Sequence, residues 1–213
     1  MKRVSIFFLF MVSTLCYAQK ECVLRKEKDS IKVYTCNNDN SRFKTIRASV
    51  VMEATLSQVA SVIMDVEKYD TWQFNTISAK KLEKPTDEDV TFYSEVDAPW
   101  PIANRDLIIR IQLSQDNQTK IVTLNCNSLP KYLPENKQIV RVPFSKALWV
   151  LTPLSKNRVN IEYSIEINPG GAVPAWMVNM VCAQAPYESF RNFKARLASK
   201  KYNEKVVSTV VNY

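Results

Sequence analysis

The order of hydrophobic and polar residues predicts strands along most of the chain, and the pattern is sharpest over residues 159–167. Here five hydrophobic residues, from Val159 to Ile167, alternate with four polar ones. Successive side chains of a strand point to opposite faces, so this alternation is typical of an antiparallel sheet with one buried and one solvated face. Similar runs predict strands at 22–27, 31–36, 43–52, 77–83, 90–98, 107–113, 120–126, 139–144 and 148–154.

Two segments show helical spacing instead. Thr55 or Ser57 is a suitable N-cap for a first helix that ends near residues 69–72. A long amphipathic helix is predicted over residues 173–200, with a kink at Pro186 in its middle. Strands with segregated helices predict an α+β domain in which the last helix covers the apolar face of the sheet.

The N-terminus has the features of a secretory signal peptide. Lys2 and Arg3 precede an apolar run over residues 4–15, which is too short to span a bilayer, and small residues follow. We expect cleavage after Ala18, export to the periplasm or the medium, and a single mature domain over residues 19–213. Lipidation of Cys16 is the alternative.

An exported chain can form disulfides, and Cys22 and Cys36 are well placed for one. They flank a predicted hairpin and lie at equal distances from Asp29, the expected centre of its turn. Directly opposed residues of an antiparallel pair lie within disulfide reach. Cys126 and Cys182 fall in apolar patterns, which predicts buried thiols.

The composition excludes several classes of chemistry. The chain has no histidine and only two glycines. This removes His-based catalysis, most zinc sites and glycine-rich phosphate loops. The net charge of +8 comes from scattered basic residues, so we expect no nucleic-acid site, only transient contact with a membrane surface. We expect no metal, no cofactor and a monomer.

The most individual stretch is residues 98–110, in which prolines precede the triplet Asn104-Arg105-Asp106 and an apolar strand. It resembles a signature of the StAR-related lipid-transfer (START) domain family. Segments 31–34, 66–72 (which ends in Trp72) and 173–177 resemble further parts of that family in the same order. The resemblance covers nearly all of residues 22–200.

The resemblance implies a helix-grip fold, in which a curved antiparallel sheet wraps around a long C-terminal helix and encloses a hydrophobic tunnel. It also implies binding, and transport, of a lipid or other apolar small molecule without catalysis. Trp72, Arg105 and Asp106 are then structural motif residues. The side chains expected to line the tunnel are Phe92, Leu107, Ile109, Ile111, Leu124, Trp149, Ile161, Tyr163, Ile165, Trp176, Met180 and Phe190.

One departure from the family concerns an interior arginine of several sterol-handling members. That place is Ile111 here, and Arg110 lies one residue earlier. A shift of one residue moves a side chain to the other face of a strand, so Arg110 is expected to point away from the interior.

Two other functions remain open at the level of the sequence. A polyketide cyclase-like enzyme on the same fold would need an ionisable group in the cavity, for which Tyr163, Glu95 and Arg105 are the candidates. An interaction scaffold would have a packed core and an exposed apolar patch.

Overall fold

The computed structural model describes residues 22–100, 102–199 and 207–212, without the side chains of residues 180 and 181. The expected signal peptide, residues 1–18, lies outside the described residues. In chain order the elements are β1 (Cys22–Lys28), β2 (Ile31–Cys36), β3 (Thr45–Met52), α1 (Leu56–Met64), a 3₁₀ helix (Val66–Thr71), β4 (Thr76–Thr86), β5 (Asp89–Val96), β6 (Arg105–Gln115), β7 (Val122–Ser128), β8 (Val140–Arg141), β9 (Phe144–Ser155), β10 (Arg158–Asn168), α2 (Ala175–Val181) and α3 (Gln184–Ala198).

The described strands form one curved sheet in the order β1-β2-β3-β10-β9-β7-β6-β5-β4, and every neighbouring pair in this path is antiparallel. The short strand β8 joins β6 in a parallel pair. Buried α3 side chains, including Tyr187, Phe190 and Phe193, belong to the same hydrophobic cluster as the inner face of the sheet. The predicted α+β helix-grip architecture is therefore confirmed.

The first hairpin contains the expected disulfide between Cys22 and Cys36, whose Cα atoms are 4.1 Å apart. Its turn differs from the prediction. It consists of two residues, Asp29 and Ser30, both with positive φ, and not of a turn centred on Asp29. An irregularity at Arg25 shifts the register by one residue and brings the two cysteines opposite each other.

Helix α1 begins where the sequence predicts and ends earlier. Thr55 caps it through a reciprocal capping box with Gln58. The α-helix ends at Met64, and the chain continues as the 3₁₀ helix to Thr71. The buried hydroxyl of Tyr69 donates a hydrogen bond of 2.6 Å to the carbonyl of Ile63, which ties the 3₁₀ helix to α1.

The prediction of one long C-terminal helix with a kink at Pro186 is wrong. The helix is interrupted at Cys182 and Ala183, between α2 and α3. Pro186 is the third residue of α3. The amide nitrogens of a first helical turn have no intrahelical acceptor, so proline fits there without a lost hydrogen bond or a kink.

No helix among the described residues is long and apolar enough to cross a membrane.

Candidate functional site

A cavity of about 260 Å³ lies between the inner face of the sheet and α3. Strands β5, β6, β9 and β10 supply most of its wall, and Pro186, Ser189 and Phe190 of α3 close it from the other side. The expected tunnel residues that line it are Phe92, Leu107, Ile109, Ile111, Trp149, Tyr163, Ile165 and Phe190.

The cavity occupies only one end of the sheet. On β10, Tyr163, Ile165 and Ile167 line it, whereas Val159 and Ile161 are fully buried and do not. Residues at the other end of the sheet belong to the same hydrophobic cluster as the buried face of α1. Side-chain packing therefore fills that end, and the open space lies towards the C-terminal end of β10.

Four expected tunnel residues have a different placement. Leu124 and Ile161 are fully buried at the packed end and do not line the cavity. Trp176 is 65% exposed, because the break after α2 separates its helical face from that of α3. The side chain of Met180 lies outside the described residues.

The sequence analysis missed most of a wall that runs from the end of the 3₁₀ helix to the first residue of β4. Gln73, Phe74 and Thr76 line the cavity beside Trp72, which the resemblance had singled out as a motif residue. The amide of Phe74 donates to Ser189 of α3 at 3.0 Å, which holds the segment beside that helix. A segment without periodicity carries no signal of which side chains face inward. Ser94 and Cys126 also line the cavity. Both lie on the predicted inward faces of their strands, so the sequence pattern could have identified them.

Aromatic rings form the rigid part of the wall. Trp149 contacts Tyr163 and Phe190, with ring centroids 4.4 and 5.6 Å apart, and Trp72 is 6.5 Å from Trp149. Such pairs add stabilisation beyond their buried area. The aromatic end of the cavity is therefore preorganised for an apolar ligand.

The ionisable groups that line the cavity are held neutral. Burial raises the pKa of the Tyr163 phenol well above its ordinary value, and it raises the pKa of the Cys126 thiol to about 12. The buried phenol of Tyr69 likewise has a raised pKa, chiefly because of desolvation. The cavity is thus uncharged at neutral pH, as far as these three groups are concerned.

Glu95 and Arg105, the other candidates for a cyclase-like centre, do not line the cavity. The carboxylate of Glu95 accepts a hydrogen bond of 3.0 Å from Asn104. The guanidinium of Arg105 donates to the carbonyls of Ala103, Pro169 and Gly170 and so ties two loops together. Arg110 points outward, as predicted, and pairs with Asp89 on the surface.

Asp106 likewise has a structural role and does not face the cavity. Its carboxylate pairs with Arg141, and neither residue lines the cavity. Within the described ranges, no group of three or more His, Cys, Asp or Glu side chains is placed to hold a metal ion.

A curved antiparallel sheet closed by a C-terminal helix around an apolar cavity defines the helix-grip fold. The family follows from comparison of the sequence: the START domain model matches residues 19–203, and the chain belongs to that family.

Several proteins are similar to the chain over most of its length. The crystal structure of a STAR-related lipid transfer protein from Xanthomonas axonopodis superposes with a TM-score of 0.77 at 28% identity, covering 83% of this chain and 98% of that one. An uncharacterized protein of Pseudomonas aeruginosa is 27% identical over 172 residues, 81% of this chain and 84% of its own. The phosphatidylcholine transfer protein of Rattus norvegicus is 27% identical over 158 residues, 72% of each chain.

Proposed function

We propose that this protein binds one lipid or other apolar small molecule in its internal cavity and carries it without chemical change. The observation that carries the proposal is the cavity itself, which is lined mainly by aliphatic and aromatic side chains. Each methylene group that moves from water into such a space contributes about 0.8 kcal/mol to binding. Relatives whose names include lipid or phosphatidylcholine transfer support the same class of ligand.

The two other functions fit the cavity less well. An interaction scaffold with a packed core has no use for a space of about 260 Å³. A cyclase-like enzyme needs an ionisable group at the cavity, and of the three candidates only Tyr163 lines it, with a raised pKa. We therefore propose a binding protein and not an enzyme.

Export is part of the proposal. The Cys22–Cys36 disulfide supports it, because disulfides persist in oxidising compartments and are rare in the cytosol. The N-terminal features typical of a signal peptide would direct the chain to export, with cleavage after Ala18.

Transient contact with a membrane would let the ligand pass between a bilayer and the cavity. Two exposed tryptophans support this step. Trp100 is 93% exposed in the loop after β5, and Trp176 is 65% exposed in α2, which follows β10. Both segments leave strands at the end of the sheet that holds the cavity. Tryptophan is favoured at membrane–water interfaces, where its apolar ring and its polar N–H group are both accommodated.

A matched pair of variants tests the binding function. Ala147 lines the cavity from β9, so Ala147→Phe should fill the space and abolish ligand uptake. The neighbouring Leu148 borders a groove on the outer face, so Leu148→Phe makes a similar change without touching the cavity. Native mass spectrometry after incubation with mixed lipids measures the bound mass. Equal uptake by both variants, or no uptake by the unmodified protein, would refute the proposal.

A further inference from the structure

The polar groups of the cavity wall are all uncharged. They are the hydroxyls of serine, threonine and tyrosine residues, one amide, two indoles and one thiol. No aspartate, glutamate, lysine or arginine lines the cavity among the residues that the structure describes. The wall can therefore solvate neutral polar groups of a ligand, but it offers no counter-ion.

A charged ligand group would lose its hydration in this space without gaining a partner. Burial of an unpaired charge is so unfavourable that such a group tends to become neutral or to stay in water. Carboxylates, phosphates and ammonium groups are therefore disfavoured inside the cavity, whereas alcohols, ketones and esters are tolerated.

The volume limits the size of the buried part of the ligand. An apolar cavity of about 150 Å³ accepts one benzene ring. The cavity here, at about 260 Å³, accordingly has room for roughly ten non-hydrogen atoms. That is the size of a short single chain or a small ring system, and well below that of a phospholipid with two acyl chains.

Two residues of the wall carry buried polar atoms without a hydrogen-bond partner in the described part of the chain. They are Nε1 of Trp72 and Oγ1 of Thr76. Both side chains are buried, and only three side-chain atoms of this kind occur among the described residues. Buried polar groups are almost always paired, so these two atoms are the wall's candidates for contact with a polar group of a ligand. An indole N–H only donates, so that ligand group contains a hydrogen-bond acceptor.

We propose that the cavity selects uncharged ligands that bury about ten non-hydrogen atoms and carry one hydrogen-bond acceptor, which Trp72 and Thr76 hold. This inference rests on the proposed binding function and names the chemical class of its ligand. Single-chain alcohols, ketones and esters belong to that class. Fatty-acid anions and intact phospholipids do not.

A ten-carbon series tests the selectivity at pH 8, with isothermal titration calorimetry as the measurement of affinity. 1-Decanol and 2-decanone should bind at least about tenfold more tightly than decanoate or decyltrimethylammonium, because only the latter two carry an unpaired charge. Equal or tighter binding of the charged probes, or of dilauroyl phosphatidylcholine, would overturn the inference and leave the carrier function standing. Absence of binding by every probe would overturn both.

Two threonine variants test the polar contact. Thr76→Val keeps the shape of the side chain and removes its hydroxyl, so affinity for 1-decanol should fall roughly threefold to tenfold. Affinity for decane should stay unchanged. Thr91→Val removes a buried hydroxyl from β5 away from the cavity and is the matched control. Equal losses in the two variants, or an equal loss for decane, would show that Thr76 does not hold the ligand's polar group.

Discussion

The carboxylate of Asp106 and the guanidinium of Arg141 form a buried two-point ion pair, with Oδ1–Nε and Oδ2–Nη2 distances of 2.8 and 2.9 Å. The two residues face each other in the parallel β6–β8 pair. Arg141 also donates hydrogen bonds to the carbonyls of Pro130 and Leu133 in the preceding loop. The pair therefore fixes the long connection between β7 and β9 against the sheet.

Loss of this carboxylate should be strongly destabilising. Asp106→Asn leaves the Arg141 charge buried and uncompensated, which costs about 3–5 kcal/mol of unfolding free energy. Urea unfolding measures the change. The exposed pair of Arg158 and Glu53 supplies the control: Glu53→Gln should change stability little, because water screens that pair. Similar effects of the two variants would contradict a structural role for Asp106.

The Cys22–Cys36 disulfide should stabilise the folded chain by about 3 kcal/mol, since it closes a loop with a sequence separation of 14. The variant that carries both Cys22→Ser and Cys36→Ser tests this value by urea unfolding without reductant. Addition of dithiothreitol should lower the unfolding midpoint of the unmodified protein to that of the double variant and leave the variant unchanged. Equal midpoints in the absence of reductant would show that the bridge contributes nothing.

Ionisation of the Cys126 thiol in the unfolded chain should lower the stability of the protein in alkaline solution. Burial raises its folded-state pKa to about 12, against an ordinary value of 9.0. Well below pH 9 both the folded and the unfolded chain keep the proton, so the contribution is fully present. Above pH 9 the unfolded chain ionises and the folded chain does not, so stability falls by up to about 1.4 kcal/mol per pH unit until the folded pKa is reached.

Urea midpoints between pH 8 and pH 10 measure this effect before the tyrosines add to it. Cys126→Ala should make the decline shallower over this interval, whatever constant offset the lost side chain causes. A smaller decline should remain, because burial also raises the pKa of the Cys182 thiol. A slope that is the same in the variant and in the unmodified protein would contradict the assignment.

The exposed tryptophans should govern exchange with membranes and not affinity for the ligand. Trp100→Ser combined with Trp176→Ser removes two interfacial anchors outside the cavity, so transfer of a bound lipid between vesicles should slow. The dissociation constant in solution should stay the same. Leu154→Ser is the control, because Leu154 is also about half exposed but lies near the end of β9, away from the cavity. If Leu154→Ser slows transfer as much as the double tryptophan variant does, the two tryptophans have no specific role in exchange with membranes.

The inner face of the sheet was largely predictable from local patterns. Alternation from Val159 to Ile167 identifies both the strand and its buried side, because the geometry of a single strand dictates which side chains share a face. Seven of the expected tunnel residues lie on strands and line the cavity for this reason. Leu124 and Ile161 share the inward faces but lie where side chains fill the space, and the place where packing ends is not a property of one strand.

The helices also combine features that were predicted from local sequence with features that were not. Thr55 was recognisable as an N-cap because capping involves only residues three positions apart. The helix breaks at Cys182 and Ala183 because Pro186 has no N–H group for the carbonyl of Cys182, four residues earlier. The sequence analysis placed this effect at Pro186 itself and did not predict that Trp176 lies on the surface.

The sequence by itself determined the strands, the inward faces, the paired cysteines and the absence of histidine chemistry, because each follows from neighbouring residues or from composition. Only the tertiary structure decided that the sheet leaves a cavity at one end, that Arg141 is the partner of Asp106, and that Phe74 and Thr76 line the wall. These features depend on contacts between segments that are far apart in the sequence. The size and position of a cavity between such segments cannot be read from the order of residues.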